Sequence, residues 1–262
     1  MTSTETLPAA YFLALGQGRY RSTDHAGGAW SVAEQHMGPL SGLLVHALEN
    51  CDPRPDLFLA RVGFDILATI PNGELEVSAT VARPGRTVEL VVAQAQAGGR
   101  TVVRATGWRL LRSDTTDLAG QEAPPLPSRQ DAETFAASEL WPGGFIRSLE
   151  FRPVGPRRPG RGAMWLRSTV PLLDGETSSP LAGLFALIDT ANGVAVRASP
   201  AELHFPNVDL TVHLFRSPTG SWLGLDTEVS FGPDGVGLTA SVLHDQAGPF
   251  GRAAQILTLR RR

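Results

Sequence analysis

Apolar and polar positions along this chain change period several times, and the changes recur in two halves. Two segments carry helical spacing. The first reads Gly38-Pro39-Leu40-Ser41-Gly42-Leu43-Leu44, and the second reads Ser179-Pro180-Leu181-Ala182-Gly183-Leu184-Phe185. They correspond position by position at a spacing of 141 residues, from residue 38 to residue 179. Each offers a small residue for the helix cap and a proline for the first helical position, where no backbone N–H is needed. In the second copy Leu181, Leu184, Phe185 and Ile188 fall on an i, i+3, i+4, i+7 stripe. Both predicted helices are short and largely apolar, which suits an element enclosed by a sheet.

Each helix is followed by segments of period two, rich in β-branched residues, which predict strands. They cover 61–70, 75–81, 87–96 and 101–111 in the first half, and 208–215, 222–230, 237–244 and 253–259 in the second. Turn signals separate them at matching places: Pro71-Asn72-Gly73 against Pro218-Thr219-Gly220, and Pro84-Gly85 against Pro233-Asp234-Gly235. Further strand segments precede each helix, near 11–21 and 147–170. One central helix with several antiparallel strands, twice over, predicts a duplicated α+β fold. The expected units are 1–113 and 140–262. The stretch 114–139, rich in Pro, Ala, Asp and Glu, is read as the connection, either a free linker or a loop packed on the surface.

Composition narrows the chemistry. Hydrophobic residues make up 42% and charged residues 19%, as expected of a packed chain rather than a disordered one. A net charge of −3 gives no electrostatic case for nucleic acid or an anionic membrane. All 23 basic residues are arginine, which excludes a P-loop lysine and Schiff-base chemistry. The single Cys51 excludes an intramolecular disulfide and a multi-cysteine metal site. It fits a reducing, cytoplasmic setting. The first residues, MTSTETLPAAYF, lack the basic start and long apolar core of a signal peptide, and no apolar run approaches the ~18 residues of a membrane span. There is no G-x-S-x-G elbow, no complete dinucleotide fingerprint and no metal-ligand spacing, so neither metal nor cofactor is expected.

Five stretches together resemble the acyl-CoA thioesterase II group of the hotdog superfamily: HMGPLSGLLVHAL, RPGRTVEL, SPLAGLFALIDTANG, FPNVDLTVHLFR and AAQILTLR. The resemblance implies a double hotdog, two fused units each with an antiparallel sheet wrapped around a central helix. It also implies an acyl-CoA substrate. In that group a carboxylate, a small hydroxyl residue and a glutamine hold the water that attacks the thioester. By position the carboxylate is Asp189 and the glutamine is Gln255. The hydroxyl position falls on Asn207, a departure, because an amide cannot act as both donor and easily reoriented acceptor.

These residues also stand out on their own. Asp189 follows Phe185 by four positions, so it lies along the apolar side of its helix, where an acid is costly unless hydrogen-bonded. The equivalent position in the first copy is Leu48. Gln255 sits in an otherwise apolar strand and needs partners for both ends of its amide. Against these readings stand plain structural ones: a helix-end carboxylate, a turn-forming Asn207 and an edge-facing glutamine. His36 and Gly38, at the start of the first helix, are candidates to receive the acyl carbonyl through backbone N–H groups. Arg83 and Arg86 are candidates for the phosphates of coenzyme A. Two functional readings follow: hydrolysis of an acyl-CoA, or a non-catalytic acyl-CoA-binding module. A homo-oligomer stays open.

Overall fold

The computed structural model describes residues 10–28 and 30–262. Met1 to Ala9, which carry most of the segment read as lacking a signal peptide, lie outside the described residues. The first half contains β1 (Phe12–Gly16), β2 (Arg19–Ser22), α1 (Met37–Asn50), β3 (Leu57–Ile66), β4 (Glu74–Arg83), β5 (Val88–Ala97) and β6 (Arg100–Leu111). Then come α2 (Gly144–Arg147), β7 (Leu149–Arg158), β8 (Arg161–Ser168), α3 (Pro180–Ile188) and α4 (Ala191–Val194). The chain finishes with β9 (Leu203–His204), β10 (Asp209–Leu214), β11 (Leu223–Phe231), β12 (Val236–Asp245), β13 (Gly248–Thr258) and β14 (Arg260–Arg261).

Twelve strands form one antiparallel sheet in the order β1-β2-β4-β5-β6-β3-β10-β13-β12-β11-β8-β7. The two halves join edge to edge through β3 and β10, from Asp209 opposite Asp65 to His213 opposite Arg61. Each half thereby closes the edge that it would otherwise expose. Alternation decides the faces: on β5, Glu89, Val91, Ala93 and Ala95 are buried while their neighbours are not. The strand reading needs two adjustments. β3 begins at Leu57 rather than 61, because Leu57 and Leu59 continue the inward alternation. β13 begins at Gly248, well before 253, carried by its pairing with β12.

The two central helices lie inside the sheet and against each other. A Cβ on Gly38 would stand 2.6 Å from Ala186 O, and one on Gly42 would stand 2.7 Å from Ala182 O. Ser41 Oγ adds a hydrogen bond to Phe185 O at 2.8 Å. The glycines therefore serve the close approach of α1 to α3. The helix starts also differ. Ser179 caps α3 through Ala182 N with Pro180 at its first position, as the pattern requires. α1 begins at Met37 with His36 as its cap, so Pro39 occupies the third position, still within the turn whose N–H groups lack partners.

The connection is pinned in its second half. Trp165 Nε1 donates to Pro127 O at 2.9 Å, and the Arg129 guanidinium lies 4.8 Å from the Trp222 ring. Arg152 Nη1 donates to Ala132 O at 2.8 Å, and Phe135 N to Phe151 O at 3.0 Å. Residues 127–135 thus pack on the second half. Among the described residues no helix is long and apolar enough to cross a membrane.

Arg109 ties α1 to the sheet. Its guanidinium donates to Glu89 Oε1 at 2.8 Å, to the carbonyl of Cys51 at 2.8 Å and to that of Leu48, satisfying the helix end. Glu89 and Arg109 are both buried. Arg109→Met leaves the Glu89 carboxylate buried and unpaired, so urea denaturation should show a loss of about 3–5 kcal/mol. The double variant Glu89→Leu/Arg109→Met should recover part of that loss, since no lone charge remains. A single-variant loss below about 1 kcal/mol, the range of an exposed pair, would contradict this assignment.

Candidate active site

Three elements bring the site together. The apolar stripe of α3 turns Phe185 and Ile188 into the core, and Asp189, the C-cap residue, continues on that side, 3% exposed. On β13 the period of two sends Ala253, Gln255 and Leu257 inward and Ala254 and Ile256 outward. Gln255 therefore points at the helix end. Asn207 precedes β10 and bridges to Leu257, which carries it to the same place.

The three side chains meet on one carboxylate oxygen. Asn207 Nδ2 donates to Asp189 Oδ1 at 2.8 Å, and Gln255 Nε2 donates to the same oxygen at 2.9 Å. Asn207 Nδ2 also donates to Asp209 O at 3.0 Å, which fixes the amide's orientation. Asn207 thus makes the donation to Asp189 that a hydroxyl would make. The other oxygen, Oδ2, lies 3.3 Å from His36 Nδ1.

That contact is not an ion pair. Gly38 N–H donates to His36 Nδ1 at 2.9 Å, so Nδ1 carries its lone pair and the neutral ring holds its proton on Nε2. Burial holds the His36 pKa down at about 3. An ionised Asp189 therefore faces a lone pair at Oδ2, and only the protonated acid can hydrogen-bond there. Burial pushes the Asp189 pKa up to about 7, while the two amide donors pull it down. The result is a buried carboxyl group poised near neutrality.

Asp189, Asn207 and His36 line a cavity of about 400 Å³ set between the two halves. Its apolar wall includes Trp30, Phe135, Trp141, Phe151 and Met164. Phe135 and Ala137 come from the stretch read as a connection, which therefore also builds the cavity. Their signal in the sequence was an aromatic residue in an otherwise polar, proline-rich segment. Trp30, edge-on to Trp141 at 5.1 Å, gave no pattern to find.

The remaining predicted residues lie elsewhere. Gly38 does not line the cavity: its missing side chain makes room for α3, and its N–H is taken by His36 Nδ1. The N–H of Met37, a cavity residue, is the one at the start of α1 to consider instead. Arg83 and Arg86 sit at the β4–β5 turn, where Arg83 Nη1 donates to Val88 O at 2.5 Å, and neither lines the cavity. The cavity's own arginine is Arg260. Among the described residues no group of three His, Cys, Asp or Glu side chains could hold a metal ion.

Comparison with known proteins gives the arrangement its context. The family model for the acyl-CoA thioesterase N-terminal domain matches residues 26–110, and that for the acyl-CoA thioesterase C-terminal domain matches residues 120–259. No curated protein matches the sequence. Among solved structures, a conserved protein of unknown function with a hot dog fold from Alicyclobacillus acidocaldarius is similar at a TM-score of 0.74, with 14% identity over 97% of each chain. An acyl-CoA thioesterase II from Mycobacterium marinum is similar at 0.68, with 16% identity over 96% of this chain and 95% of the other. At such identities these likenesses speak for the fold, a double hotdog of the α+β class. With both halves matched by its domain models, the chain belongs to the acyl-CoA thioesterase family.

Proposed function

We propose that this protein hydrolyses acyl-CoA thioesters by direct attack of water, with Asp189 as general base. The observation that carries the reading is the division of labour on one buried carboxyl group. Oδ1 is held by two amides, and Oδ2 is left beside His36 at a cavity of about 400 Å³. A water held by Asp189 and the Asn207 carbonyl oxygen attacks the thioester carbon and gives its proton to Oδ2. The carbonyl oxygen, negative in the tetrahedral intermediate, is received by Met37 N–H and His36 Nε2–H. Collapse breaks the C–S bond, the proton on Asp189 passes to the departing thiolate, and free acid and coenzyme A result. The apolar wall takes the acyl chain, and Arg260, at the cavity, offers a cation to the phosphates of the coenzyme.

Turnover of purified protein on a panel of acyl-CoAs, followed by thiol release, tests this directly. Asp189→Asn should cut kcat by about 10²–10⁴ while leaving acyl-CoA binding intact. Gln255→Ala should cost less, because it removes positioning rather than proton acceptance. Asn207→Thr, which keeps a donor to Asp189, should retain turnover far better than Asn207→Leu. Wild-type kcat should rise with pH through about 7 as Asp189 ionises. Undiminished turnover in Asp189→Asn would remove the mechanism, and binding without hydrolysis in the wild type would favour the non-catalytic module.

The same ionisation bears on stability. The fold raises the Asp189 pKa from 3.8 to about 7, so it favours the neutral acid. That contribution is full below the unfolded value and is lost as pH rises through the folded one. Asp189→Asn, which never ionises, should therefore unfold at a higher temperature than the wild type above pH 7, with the gap shrinking toward pH 4. A gap independent of pH would mean that Asp189 does not carry this burden.

A further inference from the structure

Gln255 uses only half of its amide on Asp189. Its Nε2 is committed, but Oε1 is buried and has no hydrogen-bond partner among the described residues. Directly opposite Gln255 in the β12–β13 ladder stands Thr239. It is 1% exposed, and its Oγ1 is likewise buried without a partner. Opposed residues of an antiparallel pair present their side chains on one face, with Cβ atoms about 4.5–5.5 Å apart. One of these two groups can only accept, and the other is a hydroxyl free to turn its proton. The neighbouring hydroxyls on that face are already occupied: Thr227 Oγ1 and Ser241 Oγ lie 2.8 Å apart and satisfy each other. Thr239 is the hydroxyl left to face the glutamine.

We propose that Thr239 is a positioning residue for the water site. Its O–H donates to Gln255 Oε1, by rotation about χ1 or across one bridging water, and so fixes which end of the amide meets Asp189. The two ends act in opposite ways. The N–H end stabilises the carboxylate at Oδ1, whereas a flipped amide would set its carbonyl oxygen against that charge. Asp189 alone holds that orientation weakly, because its Oδ1 is shared with Asn207 Nδ2 and its backbone carbonyl lies 3.5 Å from Gln255 Nε2. A donor at Thr239 removes the ambiguity and favours the ionised base. The inference rests on the roles proposed for Asp189 and Gln255.

The test compares Thr239→Val, which removes the hydroxyl at nearly constant shape, with Thr239→Ser, which keeps it. Steady-state hydrolysis of one acyl-CoA is measured across pH for both, beside the wild type and Asp189→Asn. Thr239→Val should lower kcat about tenfold at neutral pH, the scale of one hydrogen bond, with KM changed less than about twofold. The acid limb of its kcat–pH profile should move upward by about half to one pH unit. Thr239→Ser should restore both quantities. An unshifted profile in Thr239→Val, with Asp189→Asn inactive, would overturn the positioning role and leave the water site standing. A loss of kcat without a pH shift, not rescued by serine, would mark ordinary packing damage and overturn it as well. Full turnover in Asp189→Asn would instead remove the site that Thr239 is said to serve.

Discussion

The structure is organised around an acid that the fold makes expensive to ionise. Asp189 is buried at the end of α3, next to an imidazole that presents a lone pair rather than a proton. Only the two amide donors on Oδ1 oppose that preference. Much else follows from keeping the balance. His36 must be held as an acceptor, which the Gly38 N–H does, and α1 must lie close enough to α3 to bring His36 there. The glycines at 38 and 42 allow that approach, because any side chain would strike a carbonyl of the partner helix. A packing feature of the first half thus decides which group stands beside a carboxyl group in the second.

Duplication explains why one chain can do this. Two equal units would place equivalent residues at equivalent helix ends, and position 48 holds a leucine, fully buried, where position 189 holds the acid. One copy keeps an apolar helix end, closed by Arg109, while the other gives up apolar packing for a titrating group. The first copy then supplies what the acid needs from outside its own unit: His36, Met37 and, in the cavity wall, Gly28 and Trp30. Joined through β3 and β10, the halves hold these parts in fixed register. A single unit could present the same parts only by pairing with a second chain.

The sequence disclosed the regular parts and missed the irregular ones, for physical reasons. The helix start at Pro180 and the alternation of β5, β12 and β13 are local signals that appear in the structure, whereas α1 begins at Met37, two residues before the Pro39 that announced it. Gln255 was legible as a polar residue at an inward position of an apolar strand. Asp189 was legible as a charge on an apolar stripe. Gly38 shows the limit: as a glycine near a helix start it suggested room for a ligand, yet the atom nearest to it is a carbonyl of α3, a contact no local pattern announces. The orientation of His36 and the return of residues 135–141 to the cavity likewise depend on tertiary packing. Arg83 and Arg86 illustrate the converse, a chemically apt pair at a turn that does not line the cavity.

The central claim is that the Asp189 carboxyl group titrates near neutrality because burial outweighs its two amide donors. Carbon-13 labelling of the aspartate side chains, with the Asp189 signal assigned by its loss in Asp189→Asn, measures this on the intact protein. The account predicts a carboxyl resonance with its midpoint at about 7, far above an ordinary aspartate. A midpoint at or below the ordinary value of 3.8 would show that the amides win, and would contradict the account.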